Sequence, residues 1–422
     1  MNENRYAVGV DIGTSEVRVV VAAVPSDNIQ NNQEPLTIVG IGSCSSQGMR
    51  KGTVVDIKKV AACVDKAAGL AEEMCGFEIK EGVISINGVH LTGRPSHGLI
   101  TVDRSRPIGP AEINRVVNAA TQVKMSPNCQ VIDAQPHLFK IDDQDGVRDP
   151  IDMEGLRLEV DVYMMTALKP YIKNLDQVCE QGEIRPIDQY MPAGLAASQI
   201  ALSDQQRENG CIMIDIGHST TNLVVCEDGD VIDFKVLPVG SANITNDLAI
   251  GLKTDLDIAE RVKIEHAVAS PELRRGNEPT IAIRLGSAQM QRKLEFETEL
   301  IDEIVEARLD ELFELINREL KRIRRLGNLP GGAVITGGGA NLRGIADYAK
   351  KALGMNARIY KPRGYKGVTD QLSTPAWTTA LGLVECAAST GVNMGGDGAA
   401  NKSGLFSGLF GKLGGLFGRR SD

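Results

Sequence analysis

Two stretches in opposite halves of the chain place an aspartate, an Ile-Gly pair and hydroxyl side chains in the same order. They are Asp11-Ile12-Gly13-Thr14-Ser15 and Asp215-Ile216-Gly217-His218-Ser219-Thr220. Each follows one β-branched, apolar run and precedes another, so each reads as the turn between two buried strands. In such a turn the glycine lets backbone N–H groups come close to an anion and the hydroxyls add donors, which is phosphate-binding chemistry. An aspartate at each strand end suits a hydrated Mg2+, which keeps several waters and takes few protein carboxylates. One such turn is only a turn. Two in the same strand context can grip a triphosphate from both sides.

Two further segments could complete such a site. Val334-Ile335-Thr336 runs as a strand into Gly337-Gly338-Gly339, followed by Ala340 and Asn341. A glycine turn opening a helix there accepts a flat ring or a phosphate with no Cβ in the way, although a tight turn or helix cap needs glycine as well. Glu260 and Lys263 lie three apart on one face of a helix expected over 255–268, the spacing of an ordinary solvated salt bridge.

The elements that must position these residues follow from periodicity. Residues 6–24 read as a hairpin, 36–43 as a third strand, and the polar stretch between Ser26 and Pro35 as an exposed turn. Apolar residues at three- and four-residue spacing predict a helix over 57–76 that stops at Gly76. From 83 to 165 short strands surround one helix near 110–124, the pattern of an inserted α+β module. Helices are expected over 170–181 and 192–203, after which the strand, DIG turn, strand pattern of the opening recurs. The fold therefore contains an internal duplication. A long, mixed-charge helix over 294–325 and another over 341–353 complete the body.

Composition narrows the function classes. The chain has 422 residues, of which 42% are apolar, enough for two or more cores. Net charge is −9 and no segment of the body concentrates Lys and Arg, so a nucleic acid is not the expected partner. The eight cysteines are dispersed without a CxxC pair, and are expected to be reduced thiols. The N-terminus has no secretory pattern and no apolar run is long enough to span a bilayer, so the body is expected to be cytoplasmic.

The C-terminal segment differs. Residues 387–403 read as a flexible linker rich in Ala, Gly, Ser and Asn. Over 404–420, Leu405, Phe406, Leu409, Phe410, Leu413, Leu416 and Phe417 fall at helical spacing, with Lys402, Lys412, Arg419 and Arg420 nearby. That is the pattern of an interfacial amphipathic helix that lies on a membrane.

Taken in order, the two DIG turns, the Glu260–Lys263 helix and the triple glycine resemble the phosphate-1, phosphate-2 and adenosine motifs of the actin, hexokinase and heat-shock-chaperone superfamily. Within it the chain is similar over nearly its whole length to the bacterial cell-division FtsA family. Pro238-Val239-Gly240 with Ile244-Thr245-Asn246-Asp247-Leu248-Ala249, the module at 83–165 with Pro150-Ile151 and Gly155-Leu156-Arg157-Leu158-Glu159, and the amphipathic tail carry that likeness.

The resemblance implies an α/β, actin-like pair of ribonuclease-H-type domains around a nucleotide cleft. Subdomain 1A would comprise 1–82, 166–204 and 360–386; 1C would be 83–165; 2A would be 205–245 and 328–359; 2B would be 246–327. It implies ATP and Mg2+ as cofactors. Gly13, Thr14, Ser15, Gly217, His218, Ser219 and Thr220 would hold phosphates, Asp11 and Asp215 the metal through water, Glu260 and Lys263 the ribose, and Gly337, Gly338, Gly339 and Asn341 the base. It also implies self-assembly into filaments and recruitment of the tubulin-like protein FtsZ to the inner membrane face. Arg308 is the candidate for the FtsZ C-terminal tail, because Ile304-Val305-Glu306-Ala307-Arg308 is similar to the family's I-E-P-R segment.

Three residues depart from members that hydrolyse ATP briskly. Met191 stands where Glu or Gln would position water, His218 replaces a glycine, and Asn222 replaces an aspartate. The expectation is ATP binding with slow hydrolysis at most. A small-molecule kinase, a PilM-like pilus scaffold and an MreB-like filament protein are the alternatives within the superfamily.

Overall fold

The structure is a computed structural model that describes residues 5–25, 35–274, 279–285 and 292–389. The amphipathic segment 404–420 lies outside the described residues, as do 26–34 of the expected exposed turn and 390–403 of the expected linker. Strands β1 (Arg5–Ile12), β2 (Glu16–Val24) and β3 (Thr37–Ser45) form an antiparallel run whose inward faces are nearly all Val, Ala and Ile. Helix α1 (Ile57–Cys75) packs on it through Val60, Val64, Ala67 and Ala71 and stops where Gly76 adopts the left-handed conformation.

Strand β4 (Glu81–Ile86) corrects the expected module boundary. It runs parallel to β1, pairing Gly9 with Val83 and Val10 with Ile84, and so belongs to the first sheet rather than to the insertion. Its apolar pattern reads alike in either sheet, and only pairing decides. The module proper has a four-stranded sheet of β5 (Thr92–Thr101), β6 (Cys129–Ile141), β7 (Gln144–Val147) and β8 (Arg157–Leu168), in the order β5-β8-β6-β7, backed by α2 (Pro110–Thr121). Its own core gathers Ile113, Val116, Phe139, Leu158 and Met164.

Helices α3 (Lys169–Gln181) and α4 (Ala193–Ala201) lead to the second lobe. There β9 (Cys211–Ile216), β10 (Thr221–Glu227) and β11 (Asp230–Leu237) repeat the antiparallel run of β1–β3. Helices α5 (Ser241–Gly251) and α6 (Leu256–His266) and the hairpin of β12 (Thr280–Leu285) and β13 (Arg292–Glu297) precede α7 (Thr298–Arg322). The helix expected from 294 thus begins four residues later, because 294–297 pair in that hairpin. Strand β14 (Gly332–Thr336) lies parallel to β9 as β4 does to β1, with β15 (Ala357–Ile359) beyond it and α8 (Ile345–Leu353) between them. The duplication is therefore a matter of topology as well as motif. Helix α9 (Thr378–Ser389) returns to pack on β1 and α4, and extends past 386 into the start of the expected linker.

The inserted module also touches the second lobe. Tyr163 on β8 donates to Asp233 Oδ1 at 3.2 Å and accepts from the backbone N–H of Phe234 at 2.9 Å, both on β11. Arg322, at the end of α7, holds the other Asp233 oxygen at 2.6 Å. Arg148 and His137 of the module pair with Glu208 and Asp230. Replacing Tyr163 with Phe leaves a buried N–H and a carboxylate short of a partner, and should cost about 1–3 kcal/mol in chemical denaturation of the full chain. An unchanged midpoint would show that water replaces the hydroxyl.

Candidate functional site

The two DIG turns have the same backbone closure: Gly13 N–H bonds to Glu16 O at 3.1 Å and Gly217 N–H to Thr220 O at 2.9 Å. The turns meet: Ser219 Oγ donates to Thr14 Oγ1 at 3.0 Å across 205 positions of sequence. Asn87, just after β4, reaches from the first lobe to Thr220 Oγ1 at 3.3 Å. The sequence-predicted residues Gly13, Thr14, Ser15, Gly217, Ser219 and Thr220 are thus brought to one place.

Asp11 and Asp215 end the two central strands at equivalent positions, opposite Arg18 and Asn222 respectively. Both are buried, at 8% and 6% exposure. Asp11 Oδ1 accepts from Ser85 Oγ and Asp215 Oδ2 from Asn222 Nδ2, each at 2.9 Å. Burial pushes both carboxyls up from the usual range, Asp215 to about 6 with Asp11 adding to it, while Arg18 opposes the rise in each. Two buried carboxylates repelling each other form a donor set that a divalent cation would neutralise. One or two carboxylates is also what Mg2+ takes when phosphates and water supply the rest. The residues present therefore fit the ion. Asn222 Oδ1 is buried and has no hydrogen-bond partner among the described residues.

Gly337 and Gly339 pack against the second turn with no room to spare. A Cβ on Gly337 would sit 2.3 Å from Asp215 Oδ1, at a φ of +82°, and one on Gly339 would sit 2.4 Å from Ile216 Cγ2. Gly338 has open space where its Cβ would be. The triple glycine opens a short 3-10 turn, Gly338–Asn341, and α8 follows only from Ile345, so the expected helix start moves by four residues. Asn341 turns back to the Gly338 carbonyl at 3.1 Å. A small cavity of about 20 Å3 lies beside this turn, walled by Ile216, Gly240, Ser241, Gly339, Leu342 and Arg308.

The contrast among the glycines is testable. Gly337→Ala should destabilise the fold by several kcal/mol, since the methyl meets a carboxylate and the backbone is left-handed. Gly338→Ala should fold normally and weaken only the binding of whatever occupies the open space. Thermal midpoints with ligand titrations separate the two effects, and equal midpoints for the two variants would contradict the geometry.

Lys263 Nζ bonds Glu260 Oε2 at 2.7 Å and Thr245 Oγ1 at 2.9 Å and is largely buried, so this pair is more than a solvated salt bridge. His218 lies near both. Burial, then Lys263, lower its pKa, which keeps the imidazole neutral at pH 7. Backbone N–H groups of Ser241 and Ala242, at the start of α5, hold the Gly217 and His218 carbonyls at 2.9 and 2.7 Å. Met191 precedes α4 and supplies no group that polarises water.

Arg308 is not a free cation. Asp247 clamps its guanidinium at 2.5 and 2.9 Å, and Glu311 takes a third N–H. An acidic peptide would have to displace one of these carboxylates. Ser85 and Asn87 are the site residues that sequence reading missed. Ser85 lies on β4 and Asn87 just after it, and only the β1–β4 pairing brings them to the two turns.

Two duplicated lobes, each a sheet with a DIG hairpin at its centre, closing on a shared cleft define an actin-like fold. Solved structures agree at the level of fold. A PilM-PilN type IV pilus biogenesis complex matches with a TM-score of 0.62 at 18% identity, covering 90% of this chain and 98% of that one. MreB5 of Spiroplasma citri bound to ADP matches at 0.51 and 14% identity, covering 90% and 94%. The family model described as cell division protein FtsA matches residues 212–382, and that of the SHS2 domain inserted in FtsA matches residues 88–166, which agrees with a module beginning after β4. The cell division protein FtsA of Pseudomonas aeruginosa is 32% identical over 384 residues, 91% of this chain and 89% of that protein. That of Bacillus subtilis is 33% identical over 388 residues, 92% and 84%. The chain belongs to the FtsA family of cell division proteins.

Proposed function

We propose that this cell division protein binds Mg2+-ATP in the cleft between its lobes, hydrolyses it slowly, assembles into actin-like filaments, and tethers FtsZ to the cytoplasmic face of the membrane. The observation that supports nucleotide binding best is the meeting of the two DIG turns above the buried Asp11–Asp215 pair. Thr14, Ser15, Ser219 and Thr220, with the backbone N–H groups of the turns, would take the phosphates. Asp11 and Asp215 would hold Mg2+ through water, and the ion would draw off charge from the phosphate oxygens. The Lys263–Glu260 pair would face the ribose, and the turn at Gly337, Gly338 and Gly339 would frame the base. With Met191 where Glu or Gln would position water and Asn222 where an aspartate is usual, hydrolysis would be far below the roughly 10 per second of a median enzyme.

Titration of the full chain with a fluorescent ATP analogue, with and without Mg2+, tests the binding, and phosphate release tests the turnover. Saturable, Mg2+-dependent binding with turnover well under one per second is expected. Turnover of several per second would overturn the slow-hydrolysis reading. FtsZ binding is tested by co-pelleting FtsZ polymers with the chain on vesicles; polymers left in solution would remove the tether reading. Arg308→Ala is expected to weaken that recruitment if the tail displaces Asp247, and an unchanged yield would move the tail site elsewhere on the second lobe.

A further inference from the structure

Strand β3 and helix α1 are pressed together by an alternation of small residues. A Cβ on Gly40 would meet Ala71 O at 2.6 Å and one on Gly42 would meet Ala67 O at 1.9 Å. The next residue on that strand face is Cys44, and one helical turn back from Ala67 is Cys63. The close approach therefore drives two thiols into contact. Both donate to one acceptor, the Ser45 carbonyl, Cys44 at 3.6 Å and Cys63 at 3.4 Å. Cys63 is 6% exposed, whereas Cys44 is half-buried and open to a small reagent.

The pair lies at the back of the first phosphate turn. Ser45 pairs with Glu16 in the sheet, and the Ser46 N–H donates to Ser15 O at 2.8 Å. Ser46 Oγ is buried without a partner beside it. Movement at Ser45 and Ser46 is thus passed directly to Ser15.

We propose that Cys44 and Cys63 form a dithiol modification site, closed to a disulfide by peroxide-class oxidants, and that closure shifts the first phosphate turn. The Cys44 thiolate attacks one peroxide oxygen and breaks the O–O bond, giving a sulfenic acid and releasing hydroxide, which takes up a proton to become water. The Cys63 thiol then attacks that sulfur, the S–S bond forms and a second water leaves, so two thiols and one hydrogen peroxide give one disulfide and two waters. The bridge has no S–H, so the Ser45 carbonyl loses both of its thiol donors at once. The strand end that anchors Ser15 is then held by the ladder alone. Burial and the neighbouring Cys63 raise the Cys44 pKa, Lys66 opposes and Glu16 adds to the rise, so the reaction should quicken as pH increases.

The coupling half of this proposal rests on the nucleotide reading above; the bridge does not. The test treats the full chain with hydrogen peroxide, digests it without reductant, maps linked peptides by mass spectrometry, and compares ATP affinity before and after. A Cys44–Cys63 peptide that dithiothreitol reverses is expected, absent in Cys44→Ser and in Cys63→Ala. ATP affinity of the bridged protein should fall about tenfold, with Cys44→Ser unaffected by peroxide. A bridge between Cys211 and Cys226, which face each other across β9 and β10, or over-oxidised Cys44 with no bridge, would overturn the site. Unchanged affinity in bridged protein would overturn the coupling. Reduced protein that binds no ATP would overturn the nucleotide reading and the coupling with it, leaving the linked peptide to decide the modification site.

Discussion

Asp215→Asn should raise the thermal midpoint of the nucleotide-free protein at pH 7.5 and abolish its Mg2+-ATP binding. The wild-type carboxyl is buried beside Asp11 with its pKa raised from 3.8 to about 6, so the folded state favours the neutral form. Stability from that neutral form is fully present below pH 4 and is lost as pH rises through about 6. The shift corresponds to at most about 3 kcal/mol, a cost the wild type bears at neutral pH and the amide avoids. The carbonyl oxygen of the amide can also keep the Asn222 Nδ2 bond. The two proteins should therefore melt alike below about pH 4, diverge as pH rises from 4 to 6, and differ by a constant amount above that. Adding Mg2+-ATP should reverse their order, because only the wild type would bind it. A variant that melts below the wild type at pH 7.5 without nucleotide would mean that the Asp11–Asp215 pair is not under the strain its burial implies.

The parts of this fold that sequence made legible are those whose signal is local. The DIG turns, the strands flanking them and α1 each carry their periodicity within about twenty residues, and the repetition of one pattern announced the duplication. Residues whose role depends on pairing were not legible. Strand β4 has the same apolar alternation whether it belongs to the first sheet or the module, and with its placement went Ser85 and Asn87. Helix α5 and the β12–β13 hairpin were passed over because their apolar faces are short. For Arg308 the sequence left a partner peptide and a salt bridge with a neighbouring carboxylate both open, because Asp247, which clamps it, lies on another helix 61 positions away. The contact of Ser219 with Thr14 was implied by the superfamily likeness, but no local pattern could have supplied it.

Deleting residues 404–422 should abolish sedimentation with anionic lipid vesicles while leaving ATP binding intact. The reasoning is energetic. Six glycines between 404 and 418 each cost roughly 1 kcal/mol in a helix, so the segment gains little from helix formation in water. Seven large apolar side chains could return about 1.5–3 kcal/mol each if fully buried, and less at an interface, so one tail would hold a membrane only modestly. Lys402, Lys412, Arg419 and Arg420 add an attraction of about 1 kcal/mol apiece to anionic lipid, which salt should weaken. A filament presenting many tails would turn that modest affinity into firm attachment, because each later contact would be intramolecular. Vesicle binding should therefore rise steeply at the concentration where the chain assembles, fall with added salt, and vanish on deletion at every concentration. A deletion variant that still pellets with vesicles would place the lipid contact in the body of the protein and remove the tail from the account.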